Sequence, residues 1–153
     1  LTVDGSAIAH PQNVRVTIGT PVKEVLAFTG GLKHEAGRLL MGGPMMGLAL
    51  MDGELPVLKQ NNAILAFAKE DPDTTLHAAT TCIRCGRCVQ ACPMNLTPPS
   101  IAAAYSAGDL ERAEKLGLLT CMECGCCSYS CPAHRPIVQT MRLAKEALRR
   151  ERK

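Results

Sequence analysis

The sequence predicts an α+β protein in two parts, a small mixed part over residues 1–70 and a helical part over residues 71–153. The first part contains no cysteine, and its short alternating apolar segments are typical of strands. The second part contains all nine cysteines and several segments with helical spacing of apolar residues. A polar segment with a proline, Lys69–Asp73, marks the boundary between them.

The first part predicts two strands, a helix and further strands. Residues 1–3 and 14–18 alternate apolar and polar side chains, and a helix should follow, with Thr20 as its N-cap and Pro21 at its first position. The pair Gly30-Gly31 should end it. Its buried stripe is predicted to contain Val22, Val25, Leu26 and Phe28. Further strands are predicted over 38–41, 57–59 and 63–67. This order indicates a small β-grasp-like domain.

A glycine-rich loop, Gly42-Gly43-Pro44-Met45-Met46-Gly47, interrupts the strands of the first part. It lacks the lysine and hydroxyl of a phosphate-binding loop and does not match the dinucleotide fingerprint. We expect a tight turn that packs flexible methionine side chains. A contact with a partner or cofactor is the alternative interpretation.

Two cysteine runs organise the second part. Each has cysteines at its first, fourth, seventh and eleventh positions, followed by a proline. This is the ligand pattern of [4Fe–4S] ferredoxins, in which the fourth cysteine of a run ligates the other cluster of a two-cluster protein. One cluster is therefore predicted to bind Cys82, Cys85, Cys88 and Cys131. The other is predicted to bind Cys121, Cys124, Cys127 and Cys92.

Zinc and disulfides are the alternative uses of these cysteines. Zinc takes four ligands in two pairs, and two identical runs of four exceed that need. Cysteines three positions apart in a glycine-containing turn are awkward disulfide partners, and no secretory signal is visible. The ninth cysteine, Cys126, is out of phase with the repeat. We expect it to be a small buried residue near a cluster, with a redox-sensitive or substitute ligand as the alternative.

The remaining segments of the second part predict helices. Residues 74–79 should begin a helical approach to the first run, and residues 101–105 form a short alanine-rich helix. Asp109 should cap a helix over 110–118. Pro136 should open a last helix, whose apolar face contains Ile137, Met141, Ala144 and Leu148. The prediction is an α-helical domain with two [4Fe–4S] clusters of the ferredoxin type.

Composition and local sequence patterns argue against several classes of function. Basic segments are short and do not alternate with aromatic residues, so we expect no nucleic-acid binding despite a formal charge of +3. No segment is apolar enough for a membrane span. No nucleophile–base pair or carboxylate dyad is visible, so no catalytic residue and no cofactor site beyond the clusters is predicted. Since every iron would be fully ligated by cysteine, the predicted role is one-electron transfer.

Charged residues near the runs suggest how the clusters are tuned. Positive side chains beside anionic clusters favour the reduced state, and solvated surface residues are the alternative interpretation. These side chains are Arg84, Arg87, His134 and Arg135. The chain begins at Leu1 and stops in a basic segment, so we expect it to be part of a longer protein.

Several segments together resemble the C subunit of the Rnf electron-transport complex. They are Asp4–Ile8, Gly42–Gly47, Cys82–Cys88, Cys121–Gly125 and Ser130–Pro132, and the resemblance extends over essentially the whole chain. The cysteine runs occur in many ferredoxins, whereas their combination with the Gly-Pro-Met loop is more specific.

The resemblance implies a soluble-ligand-binding β-grasp module followed by a ferredoxin domain. It further implies a peripheral subunit on the cytoplasmic face of the bacterial inner membrane, associated with the other Rnf subunits. The complex would couple electron flow between NAD(H) and ferredoxin to ion translocation, and this segment would relay electrons without a substrate site of its own. FMN and NADH would bind upstream of Leu1. A soluble cobalamin reductase, or a docking role for the β-grasp half, are the alternatives.

Overall fold

The computed structural model describes residues 1–74 and 77–152. The chain divides into two compact units, Leu1–Leu76 and His77–Lys153. The described residues of unit 1 form a mixed β-sheet, one α-helix and a 3₁₀ turn (Pro72–Thr74), and unit 2 is helical, so the predicted α+β class is confirmed. The boundary that the sequence predicts after residue 70 stays a prediction.

The described strands of unit 1 form one sheet in the order β2-β1-β5-β3-β4. Their bounds are Thr2–Asp4 (β1), Gln12–Asn13 (β2), Ala36–Met41 (β3), Leu48–Leu50 (β4) and Ala63–Ala68 (β5). β1 runs parallel to β5, and the other neighbours are antiparallel. The first and last strands therefore lie side by side at the centre of the sheet. Helix α1 (Val22–Phe28) shares one apolar core with them, formed among others by Val3, Val25, Leu26, Ile64 and Ala66.

The predicted strand over 14–18 is wrong because β1 pairs instead with Gln12 and Asn13, which precede that segment. Thr2 lies opposite Asn13, and Val3 lies opposite Gln12. Only Val14 continues this pairing, through mutual backbone hydrogen bonds of 2.9 Å with Leu1. Of the alternating apolar residues, only Val14 is buried, and Ile18 is 62% exposed, so the alternation indicated neither a paired strand nor a buried face.

The predicted strand over 57–59 is also wrong, and β4 was missed. Val57 is buried, but its backbone hydrogen bonds connect it to the loop before α1 and not to a strand. Its N–H donates to the Thr20 carbonyl, and its own carbonyl accepts from the Gly19 N–H. The strand that pairs with β3 is instead Leu48–Leu50, directly after the glycine-rich loop. That loop is a tight turn, closed by a 2.7 Å bond from the Gly47 N–H to the Gly43 carbonyl. Its two methionines are exposed.

Helix α1 begins one residue later than predicted. Pro21 forms a β-bridge with Pro56, which holds it in an extended conformation (ψ 141°) and makes it the N-cap in place of Thr20. Phe28 is 76% exposed. Thr29 takes the next position of the buried stripe instead, and its hydroxyl donates to the Leu26 carbonyl at 2.9 Å.

Unit 2 contains the helices predicted over 101–105, over 110–118 and after Pro136, and two short helices that the sequence did not predict. The described helices are Arg87–Gln90 (α2), Pro98–Ser106 (α3), Leu110–Lys115 (α4), Cys126–Tyr129 (α5) and Ile137–Glu151 (α6). The Asp109 carboxylate caps α4 by accepting from the Arg112 N–H at 2.9 Å. Left-handed Gly117 (φ 91°) ends α4 early, and residues 118–120 form a 3₁₀ turn.

The apolar face predicted for α6 is confirmed, since all four of its residues are buried. They pack in one core with Ile101 and Ala104 of α3 and Ala113 of α4. The helical approach predicted for 74–79 falls partly on residues 75 and 76, which lie outside the described residues, and residues 77–79 are not helical.

Candidate metal centre

The two cysteine runs have the same backbone course, with each position of the first repeated 39 residues later. The left-handed residues are Arg84, Gly86 and Asn95 in the first run and Glu123, Gly125 and His134 in the second. Each run turns into a four-residue helix after its glycine, α2 or α5. The longer helices α3 and α6 then begin at matched positions, Pro98 and Ile137. Unit 2 is therefore an internal repeat in structure as well as in cysteine spacing.

Left-handed turns give these loops the shape of an anion site. Gly86 (φ 78°) and Gly125 (φ 84°) adopt a conformation that glycine enters without steric cost. Turns of this kind direct successive backbone N–H groups into a concavity, an arrangement found around many iron–sulfur sites. The glycine carbonyls then accept from the first turn of the short helices, for example from the Val89 N–H at 2.9 Å and the Ser128 N–H at 3.0 Å.

Two cavities lie against these loops, and each is lined by cysteines of both runs. One has a volume of about 830 Å³, and its lining includes Cys82, Cys85, Cys88 and Cys131. The other is narrow, about 20 Å³, and its lining includes Cys92, Cys121, Cys124 and Cys127. Each cavity thus combines three cysteines of one run with the last cysteine of the other. The ligand sets assigned from the sequence stay predictions.

The pKa values of the two buried thiols depend on the other cysteines of the same cavity. Burial raises the pKa of Cys88, and the charges of Cys131 and Cys82 raise it further. Burial likewise raises the pKa of Cys127 to about 11, with added effects from Cys121 and Cys124. Each inner cysteine therefore interacts with members of its own cavity. A bound metal would have to offset this cost by stabilising the thiolates.

The donor set fits an iron–sulfur cluster. Cysteine thiolates are the ligands that [4Fe–4S] clusters take, and each cavity offers four. Among the described residues, no group of three or more His, Cys, Asp or Glu side chains is arranged to hold a single metal ion. The narrow cavity would admit a cluster only after its lining side chains move apart.

The Cys126 side chain lies beside Cys124, a predicted ligand, as expected, but it is half-buried rather than buried. A hydrogen bond to Cys124 raises the pKa of Cys126. In the repeat, Cys126 occupies the position of Arg87 in the first run.

A partly buried ion-pair cluster supports the second run and was not predicted. The ammonium of Lys145 donates to the Cys121 carbonyl at 2.5 Å and to the Glu123 carboxylate at 2.8 Å. Arg142 donates to the same carboxylate at 3.2 Å. Both basic residues are on α6, so this helix is tied to the second cysteine run. The one signal in the sequence was Lys145 itself, placed beside Ala144 on the apolar face of a helix.

Two family descriptions match separate parts of the chain. Residues 1–49 match the SLBB domain family, and residues 75–132 match the 4Fe-4S dicluster domain family. The second match includes both cysteine runs and thus all eight predicted ligands. The assignment of iron–sulfur clusters to the second part is supported at the level of the domain family.

Relatives that match nearly the whole of this chain show its family. The C subunit of the ion-translocating oxidoreductase complex of Rhodobacter capsulatus is 54% identical over 149 residues, 97% of this chain. The chain belongs to the family of these C subunits. Further C subunits that it resembles come from the proton-translocating ferredoxin:NAD(+) oxidoreductase complex of Clostridium ljungdahlii (47% identity, 94% of the chain) and the Na(+)-translocating complex of Acetobacterium woodii (39% identity, 100% of the chain). The resemblance inferred from the sequence is confirmed.

The chain spans only part of these three relatives, 28%, 31% and 34% of their respective lengths. Among its described residues, no helix is long and apolar enough to cross a membrane.

Proposed function

We propose that this chain is the iron–sulfur electron-transfer segment of an ion-translocating ferredoxin:NAD oxidoreductase complex. The observation that carries the proposal is the pair of cavities, each lined by four cysteines drawn from both runs. The names of the related C subunits support the assignment to a ferredoxin:NAD oxidoreductase and favour it over a cobalamin reductase.

Two [4Fe–4S] clusters would be held by the eight predicted thiolates. The first set is Cys82, Cys85, Cys88 and Cys131, and the second is Cys121, Cys124, Cys127 and Cys92. When bound, such clusters accept and release single electrons. We assign no catalytic residue and no substrate site to this segment.

The protein shapes both sites with its own backbone and side chains. The Leu96 N–H donates to the Cys92 sulfur at 3.4 Å, and hydrogen bonds to ligand sulfurs tune reduction potentials. Helices α3 and α6 pack against each other in the core of unit 2 and begin just after the fourth cysteine of each run. Helix packing therefore positions the cysteine that each run contributes to the opposite site.

In the whole protein, this segment would relay electrons between a flavin and NADH site and other iron–sulfur subunits. We place the FMN and NADH sites outside this chain and expect its partners to be the other subunits of the complex. Association with the cytoplasmic face of the bacterial inner membrane would then be peripheral and indirect. We expect unit 1 to provide a β-grasp module of the SLBB type.

Cluster content is the first test. After anaerobic reconstitution, about eight irons per chain and two interacting [4Fe–4S] signals in EPR spectra during stepwise reduction are expected. A colourless, zinc-loaded protein would contradict the proposal.

Cysteine variants test whether the last cysteine of each run ligates the cluster of the other run. Replacing Cys121, Cys124 and Cys127 together by serine should leave one cluster, bound by three cysteines of the first run and by Cys131. In that background, Cys131→Ser should abolish the remaining cluster, whereas the matched control Cys92→Ser should leave it intact. The reverse outcome would show that each run supplies all four ligands of its own cluster.

A further inference from the structure

The two cysteine runs share a backbone but differ in exposure. Cys82 and Cys85 are exposed, whereas their counterparts Cys121 and Cys124 are half-buried. The matched apolar residues Ile83 and Met122 are both exposed, 66% and 52%, so the difference lies in the cysteines. The wide cavity therefore opens toward solvent at the first run.

The runs also differ in charge. Arg84 of the first run and Arg135, which follows the second run, line the wide cavity, and Arg87 of the first run is exposed. No Asp or Glu is among the described residues that line this cavity. In the second run Glu123 replaces Arg84, and its charge is paired with Lys145 and Arg142. Positive charge is thus directed outward at the first run and paired within the fold at the second.

We propose that the mouth of the wide cavity, defined by Ile83, Arg84 and Arg135, is together with the exposed Arg87 of the first run a docking surface for an acidic iron–sulfur protein. This inference rests on the proposed electron-transfer function and specifies where electrons cross to another protein. Arginine and exposed apolar residues are enriched in protein interfaces, and complementary charge accelerates encounter.

The exchange at this surface is a single-electron transfer. The docked iron–sulfur protein and the site formed by Cys82, Cys85, Cys88 and Cys131 exchange one electron, so that one is oxidised as the other is reduced. No bond forms or breaks, and no proton is required. An anionic lipid surface fits less well, because one exposed apolar side chain offers little area for insertion.

Arg84→Glu is the most informative variant. Glu123 adopts φ 58° at the matched position and Arg84 adopts φ 57°, so the same fold already accommodates glutamate in this conformation. Arg149→Glu is the matched control, since it makes the same charge change on an exposed residue of α6. Arg149 lies twelve residues beyond the cavity-lining Ile137, roughly 18 Å along the helix.

The experiment uses the reconstituted chain and an acidic plant-type ferredoxin as the probe. Stopped-flow electron transfer is measured in the direction that the two potentials favour, and binding of oxidised ferredoxin is measured by calorimetry. At low salt, Arg84→Glu should slow transfer about tenfold and weaken binding, and both effects should fade as salt increases. Arg149→Glu should behave like the unaltered chain. Iron content should be the same in all three proteins, and the cluster potentials are measured in each so that the rates are compared at equal driving force.

Equal rates for Arg84→Glu and Arg149→Glu, or no ferredoxin binding by a chain with both clusters, would overturn the docking surface while leaving the electron carrier intact. An Arg84→Glu effect confined to anionic phospholipid vesicles would also overturn it. Failure to incorporate clusters would instead contradict the proposed function itself.

Discussion

Lys145 is a buried cation whose partners explain its position. It is 9% exposed, and its ammonium contacts both the carbonyl of Cys121 and the carboxylate of Glu123. Burying an ammonium is costly unless it is paired and hydrogen-bonded, and both conditions hold here. The side chain therefore joins α6 to the loop that carries three of the proposed ligands.

Replacing Lys145 by methionine should destabilise unit 2 by about 2 kcal/mol. Methionine keeps an unbranched side chain but leaves the Cys121 carbonyl without this donor and weakens the pairing of Glu123. Urea unfolding followed by circular dichroism measures the effect. Lys115→Met is the matched control, because Lys115 forms an exposed pair with Glu111. This substitution should lower the free energy of unfolding by less than about 0.5 kcal/mol. Equal losses in the two variants would contradict the role of Lys145.

The Glu123 carboxylate should make stability depend on pH. The hydrogen bond from Lys145 lowers the pKa of Glu123 below its ordinary value of 4.5, burial opposes the shift, and the charges of Lys145 and Arg142 reinforce it. Since the folded pKa is depressed, this stabilisation is present above pH 4.5 and is lost as the pH falls through the folded pKa. Compared with Glu123→Gln, the unaltered chain should be more stable near neutral pH, and the difference should shrink in acid.

Urea unfolding of the iron-free chain over this pH range measures that difference. Introducing Glu123→Gln into the Lys145→Met background should give a smaller pH-dependent difference, because the principal cause of the shift is then absent. An undiminished difference would show that Lys145 does not cause it.

At the scale of elements, Gly5 follows β1 and approaches the backbone of β5. It has φ 118°, and a Cβ added there would lie 2.2 Å from the Ala66 carbonyl oxygen. The Ala7 N–H donates to this oxygen at 3.0 Å, so the loop after β1 is held against the central strand. A side chain at position 5 would have to displace backbone rather than a flexible side chain.

Gly5→Ala should therefore destabilise unit 1 by more than about 2 kcal/mol. Gly19→Ala is the matched control: its φ is also positive (97°), but no atom lies within 4 Å of the added Cβ. Only conformational strain of about 1 kcal/mol is expected there. Urea unfolding measures both, and amide exchange in β1 and β5 localises the loss. Similar losses in the two variants would contradict the steric explanation.

The elements of unit 2 were easier to predict from sequence than those of unit 1, and the reason is physical. Helix α6 carries its signal locally, since Ile137, Met141, Ala144 and Leu148 recur at helical spacing and all are buried. Strand β2 has only two residues, Gln12 and Asn13, and is defined by its pairing with β1. Pairing register is set by distant residues, so alternation near Val14 did not reveal it.

Local and long-range signals also differ at the candidate site. Cysteine spacing alone divided the eight thiols into two sets, which stay predictions, and the linings of the two cavities have the same grouping. Lys145 was missed because its partners, Cys121 and Glu123, are more than twenty residues away. Only the folded helix brings them together.

At the scale of the whole molecule, the internal repeat of unit 2 is structurally regular and electrostatically asymmetric. The matched residues Arg84 and Glu123 have nearly the same φ but opposite charge. The first is exposed, whereas the second is paired with two cations from α6. One side of the repeat is therefore suited to contact a partner, and the other is stabilised by its own fold.

Removing iron should destabilise unit 2 and leave unit 1 unchanged. The core of unit 2 contains small residues such as Ala104, Ala113 and Ala144, and each proposed ligand set joins distant parts of its sequence. Cluster binding would thus contribute directly to its folding free energy. Unit 1 has its own apolar core and no cysteine. Hydrogen exchange measured by mass spectrometry should show faster exchange over 77–152 after iron removal and unchanged exchange over 1–74. Equal acceleration in both ranges would show that the clusters stabilise the chain as one cooperative unit.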